Sequence, residues 1–168
     1  SNDPNIWVLD LAGQSWSPVS NISTHSLSAG EGFLMYVFED CDNDGNSDLP
    51  IDLYVSGSHN QNNVTINSIP QNNYYLAGNP YIKTISWVDI SKTNLSSVVS
   101  VWDDASTDWK TYNGISGDLT NGLIAPFQGF WVQAIGGVGS FNIQPDDIAS
   151  SSTSFMRSDN GNNSSFIT

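Results

Sequence analysis

The sequence is poor in basic residues. Four of its 168 residues are Lys or Arg and 17 are Asp or Glu, which gives a formal net charge of −13 at pH 7. Nucleic acids and anionic membranes are also negatively charged, so a surface of this sign repels both. We therefore expect no nucleic-acid partner.

Cysteine and long apolar runs are also scarce. The single cysteine, Cys41, cannot form a disulfide within the chain, so stability must come from packing or from bound ions. No run of about 18 apolar residues is present, and we expect no membrane insertion. Charged residues make up only 12% of the chain, and much of its polarity comes from Ser, Asn and Thr. This composition favours a β-protein outside the cell over a cytosolic helical enzyme.

The sequence lacks the usual catalytic motifs. His25 and His59 stand in polar sequence without the spacing of a zinc-protease motif. Residues 114–117 (GISG) only approximate a hydrolase nucleophile motif and are typical of a turn. The Asp pairs at 103–104 and 146–147 do not suit a glycosidase, because adjacent strand residues point to opposite faces. The sequence predicts a protein that is not an enzyme.

The hydrophobic pattern that is present has a period of two. Ile51, Leu53 and Val55 alternate with less apolar residues, as in a half-buried strand. Turn-forming pairs such as Asn113-Gly114 separate the segments at short intervals. The other strand candidates are 6–12, 32–38, 63–69, 74–81, 98–103, 108–113, 123–134 and 139–145. The pattern predicts an all-β fold, a β-sandwich of about eight to ten mostly antiparallel strands with little helix. Only residues 86–98 are expected to contain a helical turn.

The composition changes near residue 149. Residues 149–168 are rich in Ser and Asn, which is typical of a linker or tail. The last apolar pair, Phe166-Ile167, resembles the start of a strand in a region that continues. We expect a β-sandwich domain at 1–148, then a linker or the first strand of a truncated region. The chain is expected to be a fragment of a larger protein.

Residues 39–50 (EDCDNDGNSDLP) form a long acidic connection between two predicted strands. A hairpin needs only about two to five turn residues. This connection instead fits the pattern D-x-D-x-D-G-x-x-D. Alternate carboxylates on a turning chain converge on one point, and a hard cation such as Ca²⁺ takes six to eight oxygens at about 2.3–2.6 Å. The predicted ligands are Asp40, Asp42, Asp44, Asp48 and the backbone carbonyl of Asn46.

Several alternatives remain open for this loop. Glu39 or Asp52 would complete the set of metal ligands. The loop does not match an EF-hand, because Ile51 stands at the twelfth position, where an EF-hand requires Glu. Magnesium is the weaker candidate because it accepts all-protein ligand sets poorly. A plain solvated acidic tip, which discourages association between sheet edges, is the simpler explanation. Cys41 is expected to be inert, because the surrounding carboxylates disfavour its thiolate.

Aromatic residues suggest a second kind of site. The chain has six Trp and six Tyr, and flat rings stack on the faces of sugars. The predicted ligand-binding residues are Trp109, Tyr112, Asp104 and Asn113. Trp102 and Trp131 lie in strongly apolar segments and are predicted to pack in the core.

Four blocks of sequence, in this order, resemble one family. They are residues 32–37 (GFLMYV), 74–81 (YYLAGNPY), 99–103 (VSVWD) and 124–134 (IAPFQGFWVQA). The series is similar to a β-domain common in large secreted and cell-surface proteins of Bacteroidota, where it precedes a sorting signal for type IX secretion. The likeness covers about residues 30–135, departs from the family at Asn73-Tyr74-Tyr75, and does not include the sorting signal. It implies a non-enzymatic role outside the cell.

The function predicted from the sequence is a non-catalytic structural or adhesive module of a bacterial surface or secreted protein, stabilised by calcium. A carbohydrate-binding module, with a polysaccharide partner, is the first alternative. The second is a subunit of an extracellular assembly, in which the C-terminal SSFIT segment pairs with a neighbouring subunit.

Overall fold

A computed structural model describes residues 4–40, 42–49, 57–154 and, for the backbone, 164–167. These residues form an all-β fold of four antiparallel sheets, which confirms the predicted class. The strands are β1 Ile6–Asp10, β2 Ser15–Pro18, β3 Phe33–Tyr36, β4 Val64–Ile69, β5 Tyr74–Gly78, β6 Ile85–Ser86, β7 Ser91–Thr93, β8 Val99–Asp103, β9 Asp108–Tyr112, β10 Leu123–Ile124, β11 Gly129–Gln133, β12 Gly139–Ile143 and β13 Ser164–Ile167. Two single-turn 3-10 helices lie at Thr120–Gly122 and Pro145–Asp147.

The core lies between two of the sheets. The main sheet has the strand order β5-β11-β8-β9, and the back sheet has the order β4-β12-β7. Phe130 of the main sheet and Phe141 of the back sheet approach to 6.3 Å between ring centroids, and Trp87 lies 6.2 Å and 6.4 Å from them. All three rings are buried, so the inner faces of the two sheets form the sandwich core.

The alternation of the sequence explains which side chains enter this core. In β4, Val64 and Ile66 are buried and the residues between and after them are exposed. The period then breaks, because Ser68 adopts a φ of 63° and the register with β12 shifts. This bulge turns Ile69 inward as well, three residues after Ile66.

A third layer covers part of the other face of the main sheet. This outer sheet has the order β13-β3-β1-β2. The Gln14 side chain attaches it to the main sheet: its Oε1 accepts the N–H of Tyr74 at 2.7 Å and its Nε2 donates to the Tyr74 carbonyl at 3.0 Å. The Asn73 amide donates to the Leu11 carbonyl at 2.7 Å. The main sheet therefore has side chains packed on both faces.

Residues 86–98 were predicted to contain one helical turn, and a single hydrogen-bonded turn does lie at residues 87–89, where Asp89 N–H donates to the Ser86 carbonyl at 3.2 Å. After this turn, β7 pairs with β12. The prediction of one strand at 123–134 was wrong, because Pro126 and a φ of 57° at Phe127 separate β10 from β11. Short strands of this kind raise the number in the described residues up to 148 to twelve, above the eight to ten predicted for that domain.

Some predictions fall on other parts of the chain. Cys41 and most of the strand predicted at 51–57 lie outside the described residues. The first residues of the predicted linker are attached to the domain, since Ala149 N–H donates to the Thr84 carbonyl at 2.9 Å. Strand β13 pairs with β3 of its own chain. Across the described ranges, no helix has the length and apolar character needed to cross a membrane.

Candidate functional site

Three carboxylates of the acidic loop converge. Asp40, Asp42 and Asp48 each offer one oxygen, and the three oxygens lie within 4.8 Å of one another. Oxygens that bind one calcium ion at about 2.4 Å are at most about 4.8 Å apart, so this spacing fits a single ion. Asp42 and Asp48 are exposed and Asp40 is half-buried, which leaves the point between them accessible from solvent.

Backbone N–H groups hold the loop in this shape. The two Asp40 oxygens accept the N–H groups of Asp44 at 3.2 Å and Gly45 at 2.9 Å. Gly45 has a φ of 85°, a left-handed conformation that glycine adopts without strain, and this bend folds the loop over Asp40. Asp48 N–H donates to the Glu39 carbonyl at 2.7 Å, which closes the base of the loop and brings Asp48 back towards Asp40.

Asp44 has a different role from its three neighbours. Its carboxylate accepts the backbone N–H of Asn46 at 2.8 Å and the Asn46 side-chain amide at 2.9 Å. These hydrogen bonds, the side-chain one first, hold the pKa of Asp44 below its usual value. Among the described residues, the converging group contains Asp40, Asp42 and Asp48 and not Asp44. Metal binding by Asp44 and by the Asn46 carbonyl stays a prediction, and Asp52 lies outside the described residues.

The donor set suits a hard divalent cation. Each carboxylate oxygen has two lone pairs, so an Asp40 oxygen that accepts an N–H can still bind a metal. Three like charges at this distance repel one another, and a divalent cation between them removes that repulsion. Three carboxylates are fewer than the six to eight oxygens of a calcium shell, so water or further chain oxygens would supply the rest.

The four residues predicted to bind a sugar do not lie together. Trp109 is partly exposed on one face of β9, whereas Tyr112 packs against the core cluster. Asp104 is buried, and its Oδ1 accepts the indole N–H of Trp102 at 3.4 Å. Asn113 shapes a turn, because its side-chain oxygen accepts the N–H groups of residues 115 and 116 at 2.9 Å. Trp109 lines a cleft.

That cleft lies between the outer sheet and the main sheet and has a volume of about 630 Å³. Its lining residues are Leu9, Gln14, Trp16, Tyr74, Ser100, Trp109, Thr111 and Trp131. The prediction that Trp131 and Trp102 pack in the core was wrong. Phe130 and Val132 are the buried residues of β11, so the alternation of the strand turns Trp131 to the opposite face. Trp102 likewise contacts Trp109 on that face, with ring centroids 5.2 Å apart.

The sequence reasoning missed Trp16 and Tyr74. Trp16 comes from a four-residue strand with little alternation, so no signal in the sequence predicted its place beside Trp131. The alternation of apolar residues along 129–133 could have predicted that Trp131 points away from the core. Comparisons of the chain with models of known protein families, with curated proteins and with solved structures found no match.

Proposed function

We propose that this chain is a non-catalytic module of a bacterial surface or secreted protein, with a structural or adhesive role, and that calcium bound to the acidic loop stabilises it. The observation that carries the proposal is the convergence of Asp40, Asp42 and Asp48 within 4.8 Å. A plain acidic tip has no need to bring three carboxylates this close, because their repulsion raises the free energy of the fold.

The ion would act on stability and not on chemistry. It binds the assembled loop and not the unfolded chain, so its binding free energy adds to the free energy of unfolding. This contribution matters for a domain whose single cysteine allows no internal disulfide. The loop hydrogen bonds from Asp44 and Gly45 to Asp40 hold one carboxylate in place before the ion arrives, which lowers the cost of ordering on binding.

The extracellular location is part of the proposal. It is supported by the acidic, polar composition and by the four sequence blocks that resemble a Bacteroidota surface domain, for which type IX secretion would be the export route. Calcium sites in extracellular modules are weak, with Kd values of about 10⁻⁴–10⁻³ M. A three-carboxylate site open to solvent is consistent with an affinity in that range.

Isothermal titration of the chelator-treated chain tests the proposal. We expect one calcium ion per chain with a Kd of about 10⁻⁴–10⁻³ M, and magnesium binding at least about tenfold weaker. Asp48→Asn keeps the shape of the side chain and removes one charge, and it should raise the calcium Kd at least about tenfold. The matched control is Asp146→Asn, an exposed aspartate outside the loop, which should leave the Kd unchanged. The absence of saturable calcium binding would contradict the proposal.

A further inference from the structure

Four tryptophans form a connected series on the outer face of the main sheet. Trp16 meets Trp131 edge-to-face, with centroids 5.8 Å apart and planes at 81°. Trp131 meets Trp109 at 6.5 Å and 82°, and Trp109 meets Trp102 at 5.2 Å and 72°. The edge-to-face contacts hold the rings in fixed orientations, so they form a rigid surface.

Two short side chains leave a trough between these rings. Ser100 of β8 lies directly opposite Trp131 on one side and opposite Thr111 on the other. Neighbouring strands are about 4.8 Å apart, so Trp131 and the β9 residues stand on either side of Ser100. The floor therefore carries two small hydroxyl-bearing residues, and the indole rings rise around it.

The walls of the trough are accessible to a ligand. The exposed fractions are 37% for Trp16, 39% for Trp109 and 49% for Tyr74. Packing between the outer and main sheets explains why the Trp131 side chain is half-buried. It leaves more than a third of the surface of each of the other three side chains in solvent. The volume of about 630 Å³ lies within the range of about 300–1,000 Å³ that is usual for small-ligand clefts.

The lining also indicates the charge of the ligand. None of the eight residues that line the cleft is ionised at neutral pH, although the chain as a whole carries a net charge of −13. An anionic ligand would meet a repulsive field without any cation to hold it, and a cationic ligand would find no carboxylate in the lining. A neutral ligand with flat apolar faces and polar edges matches indole rings above a floor of hydroxyl groups.

We propose that this cleft binds a neutral polysaccharide chain, with pyranose rings stacked on Trp109 and Trp16 and sugar hydroxyls meeting Ser100, Thr111 and the Tyr74 hydroxyl. The proposal goes beyond the calcium-stabilised module and does not depend on the acidic loop. A peptide is the weaker occupant. The cleft lies on the face of the main sheet, so a peptide cannot bind there by adding a strand to a sheet edge. The two floor hydroxyls would satisfy few of its backbone groups.

Titration of the full chain with cellohexaose, xylohexaose, mannohexaose and maltohexaose tests the proposal, with tryptophan fluorescence as a second readout. At least one of these neutral sugars should bind with a Kd below about 1 mM and shift the tryptophan emission. Trp109→Ala should weaken binding at least about tenfold. Ser100→Leu keeps every ring but fills the floor, and it should abolish binding while the melting temperature stays close to that of the wild type. Tyr36→Ala, which removes an exposed aromatic residue outside the cleft, is the control and should bind normally.

Three outcomes would overturn the proposal. The first is that none of the four neutral sugars binds. The second is that a sugar binds and neither Trp109→Ala nor Ser100→Leu weakens it, which would place the sugar elsewhere. The third is that hexagalacturonate or decaproline binds more tightly than every neutral sugar, which would make the ligand an anionic glycan or a peptide. Each sugar titration is made once in calcium and once in chelator. A failure of sugar binding can therefore be distinguished from a failure of the calcium proposal.

Discussion

The side-chain amide of Asn79 donates to the backbone carbonyl of Ala125 at 2.9 Å and joins the end of β5 to the connection between β10 and β11. The same amide donates to the Lys83 carbonyl at 2.8 Å, and the Asn79 oxygen accepts the N–H of Tyr81 at 3.0 Å. Asn79 is fully buried. The two most distinctive sequence blocks, GNPY at 78–81 and APFQG at 125–129, are therefore in direct contact in the fold, joined by the Asn79 side chain.

Asn79→Asp should destabilise the domain, because a carboxylate at this position faces carbonyl oxygens that it cannot donate to. We expect a loss of about 1–3 kcal/mol of unfolding free energy for each buried carbonyl left without its donor. The loss should be smaller at pH 4 than at pH 7, since a protonated Asp regains one donor. Urea unfolding at the two pH values measures it. Asn67→Asp, on an exposed position of β4, is the control and should cost little at either pH. A cost equal to that of the control would contradict the assigned role of Asn79.

Lys92 stabilises the bend between β6 and β7. Its Nζ donates to the carbonyls of Trp87 at 2.7 Å and Ile90 at 2.8 Å, and lies 4.5 Å from the centroid of the Trp87 ring. Burial lowers the pKa of Lys92. Lys92→Met keeps the apolar stem and removes these interactions, so chemical denaturation should show a loss of about 1–3 kcal/mol. Lys83→Met, at an exposed lysine, should cost under about 0.5 kcal/mol. Similar values for the two variants would be evidence against this role.

Asp118 makes the stability of the fold depend on pH in the acid range. Its Oδ1 accepts the N–H of Thr111 at 2.7 Å, and this hydrogen bond holds the pKa of Asp118 below the usual 3.8. The stabilisation is therefore present above pH 3.8 and is lost as the pH falls through the folded-state pKa. Asp118→Asn retains the acceptor oxygen but cannot titrate. Melts between pH 5 and pH 3 should show a smaller fall in melting temperature for the variant than for the wild type, and equal falls would contradict the prediction.

The sequence pattern and the structure of the acidic loop predict different effects on calcium binding for substitutions of Asp44 and Asp48. The pattern D-x-D-x-D-G-x-x-D treats Asp44 and Asp48 alike, whereas the structure places Asp48 in the converging group and directs Asp44 towards Asn46. Asp48→Asn should therefore weaken calcium binding more than Asp44→Asn. Calcium titration of both variants measures the difference. Equal losses would show that Asp44 is also a ligand.

Much of the fold was predictable because burial in a strand follows a period of two. The strands at 99–103 and 139–143 carry that period throughout, and the strand at 64–69 carries it as far as the bulge at Ser68; the limits of all three were predicted to within two residues. The prediction of a single strand at 123–134 failed, because a positive φ at Phe127 interrupts it. The hydrophobic pattern carries no local signal of that interruption.

The candidate sites were predictable to different degrees. The acidic pattern indicated Asp40, Asp42 and Asp48, but which oxygens converge depends on the bend at Gly45 and on the hydrogen bond between Asp48 and Glu39. The cleft was less predictable, because it joins Trp16 to Trp131 across 115 residues of sequence. A single sequence carries no visible record of such a pairing between sheets.

A thermal melt in chelator and in calcium tests the central claim most directly. Calcium at about 100 times its Kd should add about 2.7 kcal/mol to the unfolding free energy, which for a domain of this size raises the melting temperature by about 5–10 °C. Asp42→Asn combined with Asp48→Asn should remove the rise. Identical melts of the wild-type chain in chelator and in calcium would contradict the account and leave the loop as a solvated acidic tip.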